Sequence, residues 1–123
     1  MPSQVSIKDG ILFVAFTGTV SEADLDKVAV DVLEIENTRP VIPHRISDLT
    51  EVTDLSIDFS SILSLAQRRM ETVIGNPIKS AIVASKPEHI GFARMFQTVN
   101  RHTQITIRIF PDMGAALAWL VES

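Results

Sequence analysis

Residues 78–110 read IKSAIVASKPEHIGFARMFQTVNRHTQITIRIF, and this stretch decides the fold. Ile78 to Ser85 centres on Ala81, Ile82, Val83 and Ala84, an apolar run of strand length. Pro87-Glu88 then opens a helix expected to reach about Asn100, because proline suits the first helical turn and a carboxylate there meets the positive end of the dipole. Ile105-Thr106-Ile107-Arg108-Ile109-Phe110 alternates apolar and polar residues at period two, the pattern of a strand. A strand, helix and strand in succession imply parallel strands joined by a right-handed crossover.

The same alternation extends upstream. Phe59, Ile62, Leu63, Ala66, Met70, Val73 and Ile74 recur at helical spacing, and Gly75 followed by Pro77 gives a stop signal, so a helix is expected from about Ser56 to Ile74. Arg45 to Leu49 reads as a short, polar strand after a loop from Asn37 to Pro43. Ser21-Glu22-Ala23-Asp24 supplies a cap and first-turn acids for a helix to about Glu36, with Leu25, Val28, Ala29, Val32 and Leu33 as its apolar stripe. Ahead of it, Val5 and Ile7 alternate, Asp9-Gly10 provides turn chemistry, and Ile11 to Phe16 is a nearly continuous apolar run that Gly18 is expected to end. The first strand is therefore an edge and the second is buried. Pro111-Asp112 opens a last helix with Met113, Ala116, Leu117 and Leu120 inside and Trp119 at the core's edge. The order ββαβαβαβα predicts one α/β domain over residues 1–123, a mixed, mostly parallel five-stranded sheet with four helices.

Composition narrows the function. With 123 residues, 46% of them hydrophobic, the chain needs neither disulfide nor metal to fold, and the absence of Cys excludes both disulfides and thiolate zinc sites. A net charge of -4 argues against binding held by nucleic-acid phosphates or anionic lipid, and Arg68, Arg69, Lys79, Arg94, Arg101 and Arg108 lack aromatic interleaving and read as solvated surface. No apolar run approaches a membrane span, and Met1-Pro2-Ser3-Gln4 has no basic start of a signal peptide, so a cytoplasmic home is expected. His44, His89 and His102 have no metal-site spacing; His89 reads as a solvent-facing residue at a helix start and His102 as a charge favoured past a helix end. There is no phosphate-binding glycine loop, nucleophile elbow or acid-base set, so no catalytic residue, metal or cofactor is assigned and an enzyme is the lesser reading. Any ligand is expected at the carboxyl ends of the parallel strands, at residues 48–54, 85–88 and 110–112.

Gly18-Thr19-Val20-Ser21-Glu22-Ala23-Asp24, Lys79-Ser80-Ala81-Ile82-Val83 and Ile109-Phe110-Pro111-Asp112 followed by Ala116-Leu117-Ala118-Trp119-Leu120 carry a resemblance. With the strand and helix order, the chain resembles the SpoIIAA-like superfamily, the STAS domains of anti-sigma factor antagonists and sulfate transporter tails, to which the CRAL-TRIO lipid-binding fold is related. It is most similar to small stand-alone bacterial members of unknown function. Regulatory STAS domains carry an Asp-Ser pair at the start of the second helix, where the Ser is phosphorylated. The resemblance puts Asp54-Leu55-Ser56 there, so Ser56 is the implied phosphoacceptor, although Asp54 and Asp58 would repel the phosphate. Ser56 as a plain helix cap is the competing reading.

The helix after Pro87 carries Ile90, Phe92, Ala93, Met95, Phe96 and Val99, a wide apolar arc, and Leu65 lies on an exposed flank of the helix before it. The function expected is accordingly a non-enzymatic module that binds a protein partner, or itself as a homodimer, through Leu65, Phe92 and Met95. The alternative is a CRAL-TRIO-like carrier holding an apolar small molecule or lipid between sheet and helices.

Overall fold

The computed structural model describes residues 3–122. Its order is β1 (Ser3–Lys8), β2 (Ile11–Ser21), α1 (Glu22–Asn37), β3 (Arg45–Ser56), α2 (Phe59–Met70), β4 (Ile78–Val83), α3 (Pro87–Val99), β5 (Ile105–Phe110) and α4 (Met113–Leu120). The five strands lie side by side in sequence order, with β1 antiparallel to β2 and every later pair parallel. This is the mixed, mostly parallel sheet that the alternation predicts.

Local chemistry accounts for most of the boundaries. Asp9 and Gly10 both take positive φ, 52° and 76°, as a tight hairpin turn between β1 and β2 requires. Ser21 accepts from the Asp24 amide while Asp24 accepts from the Ser21 amide, a reciprocal cap on α1. Asp112 accepts from the Ala115 amide and starts α4.

The boundaries of β2, β3 and α2 depart from expectation. Gly18 does not end β2: at φ 66° it sits between register shifts, and the strand runs on to Ser21 paired with β3. A residue free to adopt left-handed φ lets the strand bulge and continue where it was expected to stop. β3 correspondingly reaches Ser56 instead of Leu49. Its second half reads as polar because Thr50, Glu51, Thr53, Asp54 and Ser56 are exposed while Val52 and Leu55 turn inward. The helix expected from Ser56 to Ile74 is therefore shorter. Asp58 caps it, accepting from the Ser61 amide at 2.9 Å, and Ile74 is buried from the following loop.

Strands added always in one direction by right-handed crossovers place every crossover helix on the same face. Accordingly α1, α2 and α3 cover the face carrying Val14, Phe16, Ile82 and Ile107, whereas α4 covers Ile46, Ala81 and Val83 on the other. α2 packs chiefly against its helical neighbours α3 and α1 and makes few approaches to a strand. It stands off the sheet, and a space remains beneath it. No helix among the described residues is long and apolar enough to cross a membrane.

Candidate functional site

The space under α2 is a cavity of about 260 Å³. β2 contributes Val14 and Phe16 to its walls, α1 Leu25, Val28 and Val32, and α2 and α3 Ile62, Leu65, Phe92 and Phe96. It reaches the surface where its lining includes the exposed residues Val30, Leu33 and Arg68. The sheet forms the floor. Arg45, Ser47 and Leu49 alternate on one side of β3, and Arg45 pairs in register with Ser80 of β4, which is 2% exposed. A central parallel strand normally presents apolar residues on both faces, so the inward polarity of Arg45, Ser47 and Ser80 marks this floor as unusual.

Polar and apolar groups are segregated within the cavity. α1 and α2 run back against the parallel strands, so their C-terminal ends lie over the beginning of β3. Glu36 ends the buried stripe of α1 and Arg69 that of α2; they form a two-pronged ion pair, Nη1 to Oε1 and Nη2 to Oε2 both at 2.6 Å. Glu36 is only 5% exposed, so the bridge supplies the cation without which a buried carboxylate at a helix C-terminus would be costly. Arg45 stands at the same end with no ion-pair partner among the described residues, and neither its Nε nor that of Arg69 has a hydrogen-bond partner there. It is half-buried and lines the cavity. Burial first, and then the charge of Arg69, push the Arg45 guanidinium down to about 10, against an opposing pull from Glu36. It stays charged at neutral pH. Two guanidiniums thus face one carboxylate at one end, while Leu25, Leu55, Ile57 and Ile62 make the other end apolar.

The residues singled out from sequence fall differently. Leu65 and Phe92 are half-buried in the cavity wall, and Met95 is half-buried on α3 outside the cavity lining. Ser56 is exposed as the last residue of β3, two positions ahead of the Asp58 cap, and so holds neither the expected cap position nor the start of a helix. Arg69 is no solvated cation, though Arg68 is exposed and pairs with Asp26 on α1. His89 is buried, 2% exposed, with Nδ1 unpartnered, because the first turn of α3 turns it toward the interior. His102 accepts from the Gln104 amide through Nδ1 and meets the Thr72 carbonyl through Nε2. No group of acidic, His or Cys residues among the described residues could hold a metal ion. The cavity lies against the sheet face, and of the strand-tip stretches expected to hold a ligand its lining takes in Leu49 alone, since a strand order that never reverses has no switch-point crevice.

A sequence signal for the site existed. Continuing the α1 stripe from Leu25, Val28 and Val32 reaches Glu36, and continuing Ile62 and Ala66 on α2 reaches Arg69. Charged residues on buried stripes are the informative exception.

No protein-family model matches the sequence, and neither does any curated protein. Solved structures do match. An uncharacterised DUF3478-family protein with a SpoIIAA-like fold from Shewanella loihica superposes with a TM-score of 0.63 at 16% identity, covering 96% of this chain and 91% of its own. An anti-sigma factor antagonist from Mycobacterium paratuberculosis gives 0.63 at 12% identity over 98% and 93%. The anti-sigma factor antagonist SpoIIAA in its unphosphorylated form gives 0.59 at 12% over 95% and 96%. The chain has a SpoIIAA-like fold.

Proposed function

We propose that this domain is a non-enzymatic, cytoplasmic binding module that takes up a small apolar molecule beneath α1, α2 and α3. The observation that carries the reading is the cavity itself: about 260 Å³ with mainly aliphatic and aromatic walls and a few convergent polar groups at one end. Specific small-molecule sites have this make-up. At ~30 Å³ for each water-sized group, the space accommodates about nine of them. That is the size of a short-chain lipid or a small aromatic compound.

A second reading, a partner protein or a second copy of this chain, draws on two observations. The fold neighbours include anti-sigma factor antagonists, and α1 and α2 leave Val30, Leu33, Phe59, Leu63 and Met70 exposed. Leu65, Phe92 and Met95 would then support that surface from beneath. Phosphorylation at exposed Ser56 fits this second reading.

One titration addresses both. The neutral dye N-phenyl-1-naphthylamine is added to the protein while fluorescence and light scattering are followed. Saturation at one dye per chain, abolished by Leu65→Trp, with mass unchanged, is the expected result. Fluorescence that never saturates, or that Leu65→Trp leaves intact, removes the cavity reading. A mass that doubles with concentration and is indifferent to dye favours the second.

A further inference from the structure

Resting on that reading, we infer that the ligand is a monoanionic amphiphile, a carboxylate with a short apolar chain, whose head is held by Arg45 while its tail lies against Leu25, Leu55 and Ile62. The charge count at the polar end argues for it. Arg69 is engaged on both its terminal nitrogens by Glu36, whereas Arg45, half-buried at the start of β3 with its Nε sealed from solvent, makes no ion pair of its own among the described residues. A largely desolvated cation without an ion pair is unfavourable, and a bound anion offsets that cost. One uncompensated positive charge calls for one negative charge. A planar carboxylate matches the guanidinium fork with two parallel hydrogen bonds, and the hydroxyls of Ser47 and Ser80 lie on the same floor to meet a remaining lone pair. A dianionic phosphate would leave one negative charge unmatched beside Glu36. The register does the rest: the end of α1, the end of α2 and the start of β3 put all charged groups at one end, so a head and tail have only one direction in which to lie.

The test compares octanoate with octan-1-ol by titration calorimetry, on wild type and on Arg45→Met. Octanoate is expected to bind wild type at least about tenfold more tightly than the alcohol, the worth of a charged hydrogen-bonded pair. Arg45→Met should erase that preference and leave alcohol binding unchanged. It should also raise the thermal midpoint of the ligand-free protein, because an apolar chain replaces an unpaired, half-buried charge. Glu36→Gln should bind octanoate more tightly than wild type does. Equal binding of acid and alcohol to wild type overturns the carboxylate assignment but leaves the apolar cavity standing; binding of neither, with no dye uptake, removes the cavity reading as well. Octanoate preference retained in Arg45→Met overturns the role of Arg45. If Arg45→Met does not fold, Arg45→Gln supplies the same comparison. Octyl phosphate at pH 8 serves as the dianionic control, and its binding more tightly than octanoate would overturn the monoanion count.

Discussion

His44 sits just before β3, where its Nδ1 accepts the backbone N–H of Lys79 at 2.8 Å and so ties the loop to β4. Only the neutral ring can accept there. Burial, with the Lys79 charge adding to it, holds the imidazole below the ordinary histidine value of 6.5. The unfolded chain therefore takes up the proton first as pH falls. The stability this bond contributes is complete above pH 6.5 and is lost progressively as the pH drops through 6.5 toward the lower folded value. Urea midpoints measured from pH 8 to 5 should decline over that window in wild type and stay flatter in His44→Asn, whose amide oxygen accepts without titrating. A decline of equal slope in the variant would assign it to other groups. Arg45 and Arg69 show the same dependence on surroundings with charge: side chains of one type on one cavity wall differ because Arg69 has an ion-pair partner and Arg45 has none among the described residues.

At the scale of the element, α2 is the informative case. Its apolar periodicity runs from Phe59 to Ile74, yet the helix ends at Met70 with Glu71 as its cap, because burial of Ile74 needs only that the loop fold back. Its start was legible only in part. Ser56 and Asp58 are both capping residues, and the choice between them depends on how far β3 stays paired with β2, a long-range event that no local pattern encodes. Asp58→Ala should lower the thermal midpoint, since the carboxylate accepts from the Ser61 amide and hydroxyl, while Ser56→Ala should leave it unchanged. Reversal of that order would return the cap to Ser56. The Asp9-Gly10 hairpin lies at the other extreme: an Asp-Gly pair between two strand patterns identifies it without knowledge of anything distant, and both residues take the positive φ such a turn requires.

For the whole molecule, the unbroken strand order governs everything that follows. With three crossover helices on one face, the middle one is held by its neighbours, and α2 rests on α1 and α3 over an open space instead of on a strand. Native-state hydrogen exchange should consequently find α2 amides opening at lower free energy than those of α3, and saturating octanoate should raise α2 protection most. Uniform protection across the three helices would mean that the space beneath α2 does not weaken it. The SpoIIAA-like architecture and its neighbours follow from this order, while the cavity chemistry belongs to side chains within it.

The sequence by itself determined the element types, the hairpin, the parallel crossovers and the absence of Cys chemistry, because turn chemistry, capping and periodicity act over a few residues and are written where they act. Only the tertiary structure decided the lengths of β2 and β3, the inward turn of Leu65 and Phe92, the burial of His89, and the meeting of Glu36, Arg69 and Arg45. Each of these depends on which surface closes over which, and that is settled by packing between residues far apart in the chain.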